Sequence, residues 1–170
     1  PLPATGLTTG SNVVISPGAG SIKKRWPLSN FLKLAVRLQE KGLQPEFLLG
    51  PAEQDIKQTA WVQGEGGIPV IEPESLTDLA SILKKTNGYI GNDSAVSHLA
   101  AFLGVPVVAI FGPSDPDRWR PVGQRVAVVR SAIDCSPCFG REKNDCDHLK
   151  CLNEITIDWI LDSFDRLFQP

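Results

Sequence analysis

Between Asn12 and Val129 short apolar runs alternate with segments of helical periodicity about five times, and no other feature constrains the fold as strongly. The runs are Asn12-Val13-Val14-Ile15-Ser16, Glu46-Phe47-Leu48-Leu49, Ile68-Pro69-Val70-Ile71, Gly88-Tyr89-Ile90, the buried stretch ending in Val107-Val108-Ala109-Ile110-Phe111, and Val126-Ala127-Val128-Val129. Strands apolar on both faces need cover on both faces. The pattern therefore predicts an α/β fold, a Rossmann-like parallel sheet with helices on either side. A length of 170 residues suits one domain with a substantial core, so residues 1–170 are read as a single domain. Residues 1–11, rich in Pro, Thr and Gly, read as a linker or a domain start. The chain opens Pro1-Leu2-Pro3 without a methionine, which reads as an excised domain.

The helices carry their own signals. Ser29 is the expected cap of a helix whose apolar face is Phe31, Leu34, Ala35 and Leu38, and Gly42 stops it. Residues from Ala52 to about Val62 read as a helix with Ile56, Ala60 and Trp61 inward. Ser75 with Asp78 resembles a capping box before Leu76, Leu79, Ala80 and Leu83. A further helix starts amid Asn92, Asp93, Ser94, Ser97 and His98 and places Val96, Leu99, Ala100 and Leu103 on its buried face. A C-terminal helix near 156–168 carries Ile157, Ile160, Leu161, Phe164 and Leu167 on one side.

In such folds ligands bind where the strands' carboxyl ends meet the helix starts. Three polar loops fall there. Lys23-Lys24-Arg25, beside the small residues Gly18, Ala19 and Gly20, supplies charge and close backbone approach, as a diphosphate requires. It is not a P-loop, because its lysines lack the required glycines and the following Ser or Thr. A buried Trp26 followed by Pro27 would fix the loop's exit. Glu53 and Asp55 follow the second strand, where a carboxylate serves equally as a ribose acceptor or as an ordinary acidic first turn. Glu72-Pro73-Glu74 stands at the next strand end, where its backbone could read an adenine edge. The helix start at Asp93 offers free amides and a positive dipole end, and His98 leans back toward Asp93 and Ser94. A simple helix cap fits the same residues.

A net charge of −2 gives no reason to expect nucleic acid, and no apolar run reaches membrane-spanning length. The four cysteines, Cys135, Cys138, Cys146 and Cys151, fall in one late loop at 135–151 with His148 among them. One C-x-x-C pair with two further thiols can form a tetrahedral zinc site; reduced thiols, disulfides and an iron–sulfur cluster fit the same spacing.

Taken together the motifs resemble the ADP-heptose:lipopolysaccharide heptosyltransferase family of inverting GT-B glycosyltransferases. The resemblance rests on Pro17-Gly18-Ala19, Lys24-Arg25-Trp26-Pro27, Leu49-Gly50-Pro51-Ala52-Glu53, Asn92-Asp93-Ser94 with His98-Leu99-Ala100-Ala101, and Phe111-Gly112-Pro113-Ser114-Asp115-Pro116. It covers roughly residues 12–155 and matches the C-terminal, donor-binding half of that fold. It implies that Lys24 contacts the donor diphosphate and that the backbone at Ala19 and Gly20 faces the sugar phosphates. Glu53 or Asp55 is then expected on the ribose and the backbone near Glu74 at adenine. Asp93 is expected on the sugar hydroxyls, with Ser94, Ala95 and His98 around the diphosphate. Relatives often carry Gly where this chain has Ala95, and a methyl group there narrows the site unless the residue is helical.

The resemblance also implies that the general base and the lipopolysaccharide core acceptor belong to an N-terminal domain outside this chain, so no catalytic residue is assigned here. It implies a cytoplasmic enzyme, peripheral at the inner membrane face, whose transfer requires no cofactor; zinc at the cysteines would be structural. A non-catalytic nucleotide- or zinc-binding interaction domain with the same half-fold is the competing reading.

Overall fold

The computed structural model describes residues 10–50, 53–57, 67–138, 146 and 148–168. Six parallel strands form one sheet in the order β3-β2-β1-β4-β5-β6. They are β1 (Asn12–Ser16), β2 (Gln44–Leu48), β3 (Val70–Ile71), β4 (Gly88–Asn92), β5 (Val107–Phe111) and β6 (Val126–Arg130). The helices are α1 (Leu28–Glu40), α2 (Gln54–Lys57), α3 (Leu76–Lys85), α4 (Ala95–Phe102), α5 (Pro116–Trp119), α6 (Lys150–Asn153) and α7 (Ile157–Arg166). The expected Rossmann-like α/β fold is therefore present. Its strand order reverses between β1 and β4, the place where doubly wound sheets open a crevice.

Strand periodicity builds both cores. Phe47, Ile15, Ile90 and Val108 are in register across four strands and share one face. They pack against Phe31, Leu34 and Leu38 of α1 and Ile160 and Phe164 of α7. Val14, Leu48, Tyr89, Ala109 and Phe111 face the other way, toward α3 and α4. Each large side chain so buried contributes about 1.5–3 kcal/mol relative to an exposed one.

The apolar face read for α1 is buried as expected, but Pro27 rather than Ser29 occupies its N-cap position, and Ser29 is exposed as the second helical residue. Proline's fixed φ ends the preceding loop and sets the helix entry without a side-chain cap. Ser75 does cap α3, accepting from the Asp78 amide. Leu76, expected inward, is 73% exposed, because the first turn of α3 overhangs the sheet's carboxyl edge rather than packing on it. The buried face of α4 is Ser97, Ala100 and Ala101, with Val96, Leu99 and Leu103 only partly buried. These small residues turn the helix flat onto β4 and β5, and the larger ones flank the contact. Ile56 is buried as expected; Ala60, Trp61 and most of the helix read around them lie outside the described residues. The C-terminal helix runs over Ile157–Arg166 with Ile160, Leu161 and Phe164 buried.

Candidate functional site at the carboxyl edge

The β1 loop is locked in place by Trp26. Its ring is 1% exposed and meets Phe31 edge-on at 5.0 Å, and its indole N–H donates to the Ile155 carbonyl at 3.1 Å. Its backbone N–H donates to Asn92 Oδ1 at 2.9 Å. With the exit fixed, the preceding 3-10 turn (Ile22–Lys24), capped by Ser21, aims Lys24 across the switch point. Lys24 Nζ lies 2.8 Å from Asp93 Oδ2, and the aspartate is 7% exposed. The first and third polar loops thus meet through an ion pair.

Beside this pair an open cleft of about 480 Å³ runs along the edge. Gly18, Ala19 and Gly20 form its floor on the β1 side, Glu53 and Glu74 stand at the β2 and β3 ends, and Ser94 and Ala95 close it at α4. Pro73, Leu76 and Leu79 give it an apolar wall. Ser94 takes the extended N-cap conformation yet makes no side-chain capping bond, so the first amides of α4 keep their donors at the cleft. Glu53 is held by its Oε2, which accepts from the Gly50 N–H at 2.7 Å, and its carboxyl group lies over the Cα of Gly18. Any side chain at Gly18 would displace it.

Six of the expected site residues, Ala19, Gly20, Glu53, Glu74, Ser94 and Ala95, line this one cleft. Lys24 and Asp93 adjoin it through Ser94. Ala95 is the first helical residue of α4 and its side chain is exposed, so the methyl group meets no backbone constraint. His98 stands one turn further along, half-buried, its backbone N–H 3.4 Å from the Ser94 carbonyl. Asp55 does not face the cleft: it is 59% exposed and paired with Arg25 Nη1 at 2.8 Å. Arg25, read in the sequence only as part of the basic loop, also reaches the Ala19 carbonyl at 3.5 Å and so braces the floor.

A buried hydroxyl layer supports the cleft from beneath. Ser97 Oγ donates to the Asn92 carbonyl at 2.6 Å and lies 3.3 Å from the Tyr89 hydroxyl. Burial pushes the Tyr89 phenol above its ordinary value, against hydrogen bonds from Ser16, Ser97 and Ser94 that lower it. The β-strand alternation marks Tyr89 as core but says nothing of the polar tip, which Gly91 accommodates by lacking a side chain.

The cysteine loop lies past β5 and β6. Cys138 N–H donates to the Pro113 carbonyl at 2.8 Å, and Ser136 Oγ to the Gly112 carbonyl at 2.7 Å. Cys135 is exposed, while Cys151 sits 4% exposed on α6. Cys146 Sγ lies 3.7 Å from His148 Nδ1. Burial, and then the thiols of Cys138, Cys146 and Cys135, push the Cys151 thiol up to about 11. Among the described residues no three His, Cys, Asp or Glu side chains form a set able to hold a metal ion.

Comparison with known proteins adds the following. Residues 4–148 match the family model of glycosyltransferase family 9 (heptosyltransferase). Lipopolysaccharide heptosyltransferase 1 of Pseudomonas aeruginosa is 28% identical over 127 residues, which are 75% of this chain and 36% of that enzyme. The solved ADP-heptose lipopolysaccharide heptosyltransferase II of Escherichia coli superposes with a TM-score of 0.77 at 23% identity, covering 95% of this chain and 47% of its own. An E. coli heptosyltransferase solved with ADP gives a TM-score of 0.75 at 19% identity over 94% of this chain and 45% of its own. These two structures share the fold, and this chain spans about half the length of each. The chain belongs to glycosyltransferase family 9, the heptosyltransferase family.

Proposed function

We propose that this chain is the donor-binding half of a heptosyltransferase, holding ADP-heptose for transfer to the lipopolysaccharide inner core. The observation that carries the reading is the meeting of Lys24, Asp93 and the uncapped start of α4 at the mouth of one cleft. Cation, helix dipole and free amides together suit a diphosphate, whose negative charge grows as the sugar departs. Asp93, adjacent to them, is suited to accept from sugar hydroxyls, and His98 stands on the phosphate side. Glu53 is the better ribose acceptor, since Arg25 already occupies Asp55. The apolar wall at Pro73, Leu76 and Leu79 suits a base, with the backbone near Glu74 at its edge. A related enzyme of the same fold was solved with ADP, which supports a nucleoside diphosphate here.

In an inverting transfer a base activates the acceptor hydroxyl, which attacks the anomeric carbon as the diphosphate leaves. Residues of this chain serve the leaving-group side. The base and the acceptor site belong to the other half of the enzyme, and this chain alone is expected to bind the nucleotide weakly and not to catalyse transfer. Among the described residues no helix is long and apolar enough to cross a membrane, and the reading places the enzyme in the cytoplasm, at the inner membrane face through its acceptor. Titration calorimetry with ADP, ADP-heptose and UDP-sugars tests it. Preference for the adenosine nucleotides is expected; preference for a UDP-sugar would remove the heptose assignment.

The reading extends to a structural zinc at Cys135, Cys138, Cys146 and Cys151, with no part in the transfer step. Its support is the sequence pattern of one C-x-x-C pair with two further cysteines; as placed, the described side chains do not assemble a metal-holding set, so binding would have to draw them together. Metal analysis of protein purified without added zinc is expected to find one zinc per chain. Four freely titrating thiols and no zinc would overturn it.

A further inference from the structure

Asn92, read in the sequence as one of the polar residues at a helix start and given no role of its own, is completely buried at the end of β4. A buried amide survives only if its donors and acceptor are satisfied. Here the partners come from separate loops. Its Nδ2 donates to the Pro17 carbonyl at 2.8 Å and lies 3.4 Å from the Gly18 carbonyl. Its Oδ1 accepts from the Trp26 N–H. Its own backbone carbonyl accepts from Ser97 in the first turn of α4. One residue therefore ties together the cleft floor, the exit of the lysine turn and the helix start. Asp93, the next residue, carries the carboxylate that meets Lys24.

We infer that Asn92 is a positioning residue that sets the distance between the Lys24 loop and the start of α4, and so the affinity of the cleft for a nucleoside diphosphate. The inference rests on the donor-site reading. The chemistry is specific to an amide. Aspartate at this place would still accept from Trp26 N–H but would turn a carboxylate oxygen toward the Pro17 and Gly18 carbonyls, releasing the floor alone. Alanine would release both sides.

The test compares the parent chain with Asn92→Asp, Asn92→Ala and Leu38→Ala, the last a core control on α1 remote from the cleft. Amide hydrogen exchange and ADP affinity are measured on each. Asn92→Ala is expected to speed exchange at Trp26 and at residues 18–20, and Asn92→Asp at residues 18–20 with Trp26 still protected. Both are expected to weaken ADP binding by about tenfold or more. Leu38→Ala is expected to lower the melting temperature while leaving ADP affinity within about twofold. Unchanged exchange in the Asn92 variants, or loosened loops with parental ADP affinity, would overturn the inference. If the parent itself bound no ADP, the donor reading would fall, and the exchange data would still decide whether Asn92 holds the loops.

Discussion

The two loop systems at the carboxyl edge are built in opposite ways. Around the cleft, polar groups from distant parts of the chain are paired with one another: Trp26 with Asn92 and Ile155, Lys24 with Asp93, Glu53 with Gly50. Around the cysteines, backbone carbonyls at Gly112 and Pro113 anchor one end, while burial on α6 raises the Cys151 thiol. The first arrangement holds its geometry before any ligand arrives. The second is fixed by backbone bonds and by the burial of Cys151 on α6. Preorganisation by protein partners suits a site that must be ready for substrate.

The contrast breaks first at Trp26. Trp26→Ala removes a fully buried ring and its indole bond to the Ile155 carbonyl, while the backbone bond to Asn92 is kept. It is expected to cost about 3–5 kcal/mol in chemical denaturation. A cost below about 1 kcal/mol would mean that the turn is not fastened to the core at all. On the cysteine side, a pKa moved from 9.0 to about 11 lowers the thiolate fraction of Cys151 at pH 8 by about a hundredfold. In the presence of chelator, thiol-reactive probes followed by mass spectrometry are expected to label exposed Cys135 first and Cys151 last. Equal labelling rates would contradict the burial of Cys151.

Lys24→Ala sharpens the comparison from the cleft side. It is expected to weaken ADP binding by about 1.5–3 kcal/mol, the worth of a charged hydrogen bond, with the parallel sheet intact by circular dichroism. Unchanged affinity would take Lys24 out of the site.

The smallest effect concerns Tyr89, the chain's single tyrosine. Its phenol is raised above 10.0, chiefly by burial, so the stability it contributes is complete below that value and is lost as pH climbs through the folded-state value. Absorbance titration of the tyrosinate is expected to lag the free phenol and to coincide with loss of structure. Ionisation at pH 10 in a folded chain would place the hydroxyl layer in contact with solvent.

Whatever depends on periodicity is legible in the sequence. The runs at Val13–Ile15 and Val107–Phe111 and the Phe31, Leu34, Ala35, Leu38 stripe sit where their spacing puts them. The three converging loops follow from strand ends in a parallel sheet, and they do converge. Pairings across the fold were not legible. Arg25 with Asp55 and Asn92 with Pro17 join residues 30 and 75 positions apart, and no local pattern announces either. Leu76 has the spacing of a core residue but lines a cleft, because periodicity cannot tell a helix turn on the sheet from one beyond its edge. The buried stripe of α4 departs from its apolar spacing for a related reason: Ser97 and Ala101 are small rather than strongly apolar, and smallness is what lets that helix approach the strands.

The central claim is that the nucleotide sits in the cleft at the switch point. Amide shifts mapped during an ADP titration test it directly. The account predicts shifts concentrated in residues 17–26, 53–57, 73–79 and 93–98, with the cysteine loop unmoved. Shifts centred on Cys135–Cys151, or a saturating titration that leaves Lys24 and the first turn of α4 unperturbed, would contradict it.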